Sequence, residues 1–549
     1  MTSDLDSKDV RSDERAAEWV PWPAETAAAY RDSGYWLGEP LYRVIAAGDP
    51  AAVAVVDPQR RITYGELASR TERLAAGLLR TGLRPGDNVV VQLPNRSELV
   101  VLMLALFRIG VRPVFAMASH RQAEITYFAR HTEARAYFIV DRHQGFDYRP
   151  LARQVGVEVP SLRTVIVVGD PAEFHSFDAV DAEPADLPVV DPGTIALFLL
   201  SGGTTGVPKL IPRTHDDYSC TFRGSAQVCE FDSGSVYLAA LPMVHNFPLA
   251  SPGVLGALST GGTVVLAPDP SPATVFALIE REGVTVTSAV PAVAELWAAH
   301  ATTTSADLSS LAMLQIGGAR LDPEAALRIS RRLRCPIQQV FGMAEGLICY
   351  TRSSDTEEVR HTTQGRPMSP ADEIRVLDAD GVPVPAGSVG ELHVRGPYTI
   401  RGYYRAPEHN RSAFTTDGFY RTGDLVRVTD SGHLVVMGRI KDQINRGGEK
   451  ISAPELERHL LSHGLIRDVA VVPIADDRLG ERICAVVVAD GAAPSLRDVL
   501  SHLRTSGVAA YKHPDILLVA DRLPRTPVGK VDKRALADQA ARELRTGGL

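Results

Sequence analysis

Short apolar runs rich in β-branched residues alternate with amphipathic stretches through the first 440 residues, and this alternation constrains the fold more than any other feature. Residues 88–93, NVVVQL, have the pattern of a strand and Ser97–Arg108 that of a following helix; 263–267 and 271–283 repeat the pair. Strands that are apolar throughout, not only at every second position, suit sheets covered on both faces. The spacing predicts an α/β architecture of several buried sheets in layers. Residues 182–193, with three prolines and three acidic side chains, are expected to form a surface connector before a strand at 194–200.

After Gly438 the texture changes. The segment RIKDQINRGGEKIS is polar and carries paired glycines, as an inter-domain hinge would. Ser452-Ala453-Pro454-Glu455 then has the pattern of a capping box with proline at the start of a helix. Leu456 and Leu460 fall one turn apart on one face, and Gly464 is the expected stop. Residues 469–473 and 483–489 have strand patterns. The expected division is a large layered domain over 1–440 and a small mobile α+β domain over 441–549. At about 150 residues per domain, 549 residues accommodate this comfortably.

Charge and cysteine content exclude several classes. With 58 basic and 66 acidic residues the formal charge is −8, which offers no general attraction to nucleic acid or anionic lipid. Five scattered cysteines form no CxxC or Cys/His cluster, so they read as buried thiols in a reducing compartment. The N-terminus is polar and lacks a signal peptide's apolar core. The apolar run 99–107 stops at Arg108, too short to span a bilayer. No membrane insertion and a cytoplasmic location are expected.

The strongest chemical signal is Ser201-Gly202-Gly203-Thr204-Thr205-Gly206-Val207-Pro208-Lys209, directly after the apolar run 196–200. Three glycines let backbone amides approach an anion closely. Hydroxyls at Ser201, Thr204 and Thr205 can donate to phosphate oxygens, and Lys209 adds positive charge. A Walker A loop is excluded, because Leu210 stands where Ser or Thr must follow the lysine.

This loop resembles the phosphate loop of the adenylate-forming enzymes: acyl-CoA synthetases, luciferases and nonribosomal peptide adenylation domains. Four further segments resemble that family's motifs in the same order: Phe341-Gly342-Met343-Ala344-Glu345, Tyr420-Arg421-Thr422-Gly423-Asp424, Gly438-Arg439-Ile440-Lys441-Asp442 and Pro527-Val528-Gly529-Lys530. The resemblance extends over essentially the whole chain. It implies ATP and magnesium, with an active site in a cleft between two domains. It assigns Glu345 to magnesium, Asp424 to the ribose hydroxyls and Arg439 to ribose or phosphate. Asp442 becomes the hinge pivot and Lys530 the catalytic lysine. It also places Gly317, Gly318, Ala319, Val340, Phe341, Gly342 and Met343 around the nucleotide. The chemistry agrees: a carboxylate attacking the α-phosphate needs cations and fixed donors more than covalent help from protein. Retention of Lys209, Glu345 and Lys530 speaks against a degenerate scaffold protein.

Ala344 stands where the family motif usually has Thr. Met-Ala-Glu at this point resembles the stand-alone aryl-acid branch, the 2,3-dihydroxybenzoate–AMP and salicylate–AMP ligases that begin aryl-capped siderophores. Val20-Pro21-Trp22-Pro23, Gly34-Tyr35-Trp36, Pro212-Arg213-Thr214-His215 and the segment from Leu241 to Gly253 have the same look. His245 is then a catalytic residue that gates or positions the carboxylate, and Asn246, Phe247, Ser251, Gly318 and Ile348 line the acid. A neutral Asn246 cannot pair with an α-ammonium, which points to a substrate without an α-amino group. Ser251 offers a hydroxyl to a second ring hydroxyl, favouring 2,3-dihydroxybenzoate, with salicylate next and 3-hydroxypicolinate-type acids as an alternative. Ile348 is intermediate, and Cys349 replaces a common Asn. Only nineteen residues follow Lys530, without a pantetheine site. The expected acceptor is an aryl carrier protein in trans, with CoA as the alternative.

Overall fold

The computed structural model describes residues 18–184, 186–201, 208–440, 443–446, 449–476, 479–506, 508, 510–526 and 529–546. These fall into two compact units. The first holds the described residues up to Ser201 together with 208–373 and 394–420; the second holds 374–393 and those from Arg421 onward.

Two large sheets dominate the first unit. A seven-stranded sheet runs in the order Leu210–Thr214, Ile195–Leu200, Arg112–Phe115, Asn88–Gln92, Ala136–Val140, Thr164–Val168, His175–Ser176. All of its pairings are parallel except that of Ile195–Leu200 with Leu210–Thr214. A nine-stranded sheet has Val286–Ala289, Met313–Gly317 and Ile337–Gly342 as adjacent parallel strands, then turns antiparallel into Ile348–Tyr350. Central strands such as Asn88–Gln92 and Ala136–Val140 are buried at every position, as their uninterrupted apolar pattern requires. Helix Ser97–Arg108 is buried from Ser97 to Phe107, which explains its apolar character all round. The helix expected at 271–283 is Pro272–Glu282, with Ser271 capping its start and Gly283 ending it at φ 63°.

In the second unit, Ile466–Asp476 and Gly480–Ala489 pair antiparallel. Alternate residues pack on opposite faces of the sheet. Val469, Val471, Ile483 and Val487 meet Leu456, Leu460, Val499 and Leu503, from helices Ala453–Leu461 and Leu496–Thr505. Ala470, Val472, Cys484 and Val486 meet Leu536 and Ala540 of helix Lys533–Thr546. A sheet with helices on both faces is the small α+β arrangement anticipated, with longer strands than the sequence suggested.

Two local expectations need correction. Only half of the capping box forms: Ser452 Oγ accepts from Glu455 N at 3.4 Å, while the Glu455 carboxylate is drawn to Lys512 Nζ at 2.6 Å. The helix ends at Leu461, before Gly464. Ser462 Oγ donates to His459 O at 2.8 Å, so a hydroxyl satisfies the terminal carbonyl and no left-handed residue is needed. All five cysteines are buried and free. Burial pushes the thiols of Cys220, Cys335 and Cys484 up to about 12. Among the described residues no helix is long and apolar enough to cross a membrane.

Candidate active site

The phosphate-loop segment joins two antiparallel strands, Ile195–Leu200 and Leu210–Thr214, whose last pair is Leu200 with Leu210. Its neck is tied twice: Ser201 N donates to Lys209 O at 3.0 Å, and Lys209 N to Ser201 Oγ at 2.9 Å. Gly202, Gly203, Thr204, Thr205 and Gly206 lie outside the described residues. Lys209 Nζ sits 5.8 Å from the ring centroid of Tyr403.

Glu345 occupies the turn between Ile337–Gly342 and Ile348–Tyr350. The turn closes through Met343 N to Leu347 O and Gly346 N to Met343 O, each 3.2 Å. Gly346 admits no side chain, since a Cβ would come within 2.6 Å of Thr399 Oγ1. The Glu345 side chain is buried, and its Oε1 accepts from the Tyr403 hydroxyl at 2.8 Å. The Tyr420 hydroxyl lies 2.9 Å from that of Tyr403. Burial and the adjacent carboxylate hold the Tyr403 phenol far above its ordinary range, so it stays a donor.

A wholly buried guanidinium supports the same turn. Arg213 donates to Asp217 Oδ1 at 2.7 Å, Ala344 O at 2.8 Å, Thr221 Oγ1 at 2.9 Å and Tyr398 O at 3.0 Å. Neither the Tyr403 hydroxyl nor this grip was legible from spacing, because the partners lie 58 and 131 residues away in sequence.

His245, exposed, precedes the short helix Asn246–Ala250 and caps it: its Nδ1 accepts from Phe247 N at 3.5 Å. Asn246 is buried, with its Oδ1 accepting from the Tyr218 hydroxyl at 3.0 Å. The Phe247 ring packs over Gly317, where a Cβ would lie 3.1 Å from the ring and 2.8 Å from Val340 O. Gly318, at φ 82°, and Ala319 are exposed just past the end of Met313–Gly317. Ile348 packs beside Gly342, whose Cβ would come within 3.1 Å of Ile348 Cγ1. The fold therefore brings Phe247, Gly317 and Val340 together, and likewise Gly342 and Ile348. Ser251 is buried, and the buried Tyr350 phenol donates to Ser225 Oγ at 2.8 Å. Cys349 is buried on the strand face opposite Ile348.

In the second unit, strands Tyr420–Val428 and Leu434–Arg439 pair with Asp424 opposite Arg439. Asp424 is buried and its Oδ1 accepts from Arg439 Nε at 2.7 Å. Two residues with expected ribose roles thus form an ion pair that orients the aspartate. Lys530 is exposed at the end of a turn held by Thr526 N to Lys530 O at 2.7 Å, with Gly529 at φ 82°. The hinge candidate Asp442 lies outside the described residues.

The family model for AMP-binding enzyme matches residues 42–404, and that for the AMP-binding enzyme C-terminal domain matches 455–530. The chain is 51% identical over 532 residues to a 2,3-dihydroxybenzoate-AMP ligase of Bacillus subtilis, covering 96% of this chain and 99% of that one. It is 49% identical over 532 residues to a salicyl-AMP ligase / salicyl-S-ArCP synthetase of Mycobacterium tuberculosis, covering 95% and 94%. It also resembles the apo structure of MbtA from Mycobacterium smegmatis, with a TM-score of 0.74 and 48% identity over 95% of this chain and 99% of that one.

Proposed function

Because the chain belongs to the AMP-binding enzyme family, we propose that it activates an aryl carboxylic acid with ATP, giving aryl-AMP and pyrophosphate, and passes the aryl group to the pantetheine thiol of a carrier protein. The observation that carries this reading is near-full-length identity of about half to aryl-acid–AMP ligases. A buried, neutral Asn246, which cannot pair with an α-ammonium, supports it.

In this reading residues 1–440 form the core and 441–549 the lid. Ser201 and Lys209 hold the ends of a loop whose amides, with Gly202, Gly203, Thr204, Thr205 and Gly206, cradle phosphate oxygens. Asp424, held by Arg439, accepts the ribose hydroxyls. Gly317, Gly318, Ala319, Val340, Phe341, Gly342 and Met343 form the rim beneath the adenine. His245 holds the entrance of the acid pocket, and Lys530 supplies the cation that lets a carboxylate approach the α-phosphate. The site needs no cage of protein ligands for magnesium, which commonly takes one or two carboxylates plus substrate phosphates. The buried carboxylate of Glu345, oriented by Tyr403, fits that role. When bound, the ion would neutralise phosphate charge.

For the acid, 2,3-dihydroxybenzoate is favoured and salicylate comes next. The two relatives divide between these acids, and the buried hydroxyl of Ser251 is offered to a ring hydroxyl at the 3-position. The carrier is preferred over CoA because the mycobacterial relative is a salicyl-S-ArCP synthetase. Intact-mass analysis after incubation with ATP, the acid and either acceptor tests the second step. Loading of a carrier's pantetheine supports the proposal; acyl-CoA alone would make the protein an aryl-CoA ligase.

A further inference from the structure

We propose that Tyr218 is a positioning residue for the acid site: its hydroxyl fixes the Asn246 amide so that the NH2 group, and not the carbonyl, faces the substrate. This rests on the reading of Asn246 as an acid-binding residue, and it adds a reason for that residue's selectivity.

Tyr218 lies in the first turn of helix His215–Val228, behind the Thr214 cap, and its side chain is fully buried. A buried hydroxyl proton must find an acceptor. Among the described residues Tyr218 Oη has one hydrogen-bond partner, Asn246 Oδ1 at 3.0 Å. Reversing the amide would leave the tyrosine proton without an acceptor, so burial of Tyr218 sets the orientation of Asn246. Desolvation keeps the phenol well above its ordinary range and therefore always a donor.

The ring is itself held in place. The Arg213 guanidinium stands over it, 4.9 Å from the centroid, and Arg213 is pinned by four hydrogen bonds. Orientation passes along a rigid series from Asp217 through Arg213 and Tyr218 to Asn246. Among the described residues none accepts from Asn246 Nδ2, so its hydrogens are available to a ligand. The group that meets them must carry a lone pair: a carboxylate oxygen or an ortho-hydroxyl oxygen. An α-ammonium would meet hydrogen with hydrogen. Asn246 thus rejects amino acids through the direction of its dipole as well as through its lack of charge.

The test is aryl-acid-dependent ATP–pyrophosphate exchange by the full chain, with salicylate and 2,3-dihydroxybenzoate, in the wild type, Tyr218→Phe, Asn246→Ala, the double variant and Asn246→Asp. Tyr218→Phe should raise KM for the acid about tenfold, the effect of one lost orienting bond, and leave KM for ATP unchanged. The double variant should match Asn246→Ala, because Tyr218 acts through that amide. Multiplying effects, or an unchanged acid KM in Tyr218→Phe, would overturn the inference. Asn246→Asp decides independently if Tyr218→Phe does not fold. It keeps an acceptor for Tyr218 but turns an anionic oxygen toward the acid, so it should lose more than Asn246→Ala; an equal or smaller loss contradicts the proposed orientation. No aryl-acid-dependent exchange in the wild type would instead strike the underlying functional reading.

Discussion

Replacing Arg213 by methionine should be among the most damaging single changes in the first unit, through stability and the site together. The side chain is fully buried and paired with Asp217 at 2.7 Å. Removing one member of a buried ion pair leaves the other charged and desolvated, at a cost of about 3–5 kcal/mol. A typical domain has only about 5–15 kcal/mol in total. The lost bonds to Ala344 O, Thr221 Oγ1 and Tyr398 O fall within that range and are not added to it, since they share one guanidinium. The double variant Arg213→Met/Asp217→Leu removes both charges and should recover most of the loss. It retains a deficit of about 1 kcal/mol because Asp217 also accepts from Thr214 N in the helix cap. Urea unfolding followed by tryptophan fluorescence isolates the effect: Trp19, Trp22, Trp36 and Trp297, all the tryptophans of the chain, lie in the first unit. A loss below about 1 kcal/mol in Arg213→Met, or a double variant as unstable as the single, would refute the assignment of an obligatory buried pair.

Three further outcomes follow from the same structure. Asp372 is half-buried, with its Oδ1 buried and unpartnered and its Oδ2 accepting from Tyr398 Oη at 2.5 Å and Ser369 N at 3.0 Å, and burial of the carboxyl raises it from 3.8 to about 7. The unfolded chain releases this proton near pH 4 while the folded chain keeps it, so stability falls between pH 4 and 7. Asp372→Asn should gain on the wild type by up to roughly 4 kcal/mol across that window, and parallel urea midpoints for the two proteins at pH 4.5 and 7.5 would contradict this. Lys530→Ala should slow pyrophosphate exchange by about two to three orders of magnitude yet spare thioester formation from preformed aryl-AMP; equal damage to both steps argues against its role as a transition-state cation. Ser251→Cys should move the kcat/KM ratio toward salicylate over 2,3-dihydroxybenzoate, by about tenfold for one hydrogen bond, and an unmoved ratio takes Ser251 out of the pocket.

Legibility in the sequence followed the range of the interactions. Helix Ser97–Arg108 was readable to the residue because its apolar run and its polar flanks are local. The small α+β C-terminal part was readable because its apolar runs at 469–473 and 483–489 and the one-turn spacing of Leu456 and Leu460 are local signals. At helix Ala453–Leu461 the second half of the capping box is lost to a distant group, Lys512, which takes the Glu455 carboxylate, while the early end comes from the local Ser462 hydroxyl. Within the site, residues carried by contiguous motifs, such as Glu345, Asp424 and Lys530, could be named in advance. The side chains that hold them could not. Tyr403, Arg213 and Tyr218 act across long sequence separations, and no spacing rule links them to Glu345, Ala344 and Asn246. Arg439 was legible as a functional cation, but its pairing with Asp424 needed the strand register.

Adenylation of an aryl acid by this chain is measured by ATP–pyrophosphate exchange across a panel of 2,3-dihydroxybenzoate, salicylate, 3-hydroxypicolinate, the proteinogenic amino acids and a medium-chain fatty acid. Strong exchange is expected with the hydroxybenzoates, greatest with 2,3-dihydroxybenzoate, and none above background with amino acids, whose α-ammonium the neutral Asn246 cannot pair. Exchange driven by an amino acid or a fatty acid, with the hydroxybenzoates silent, would contradict it.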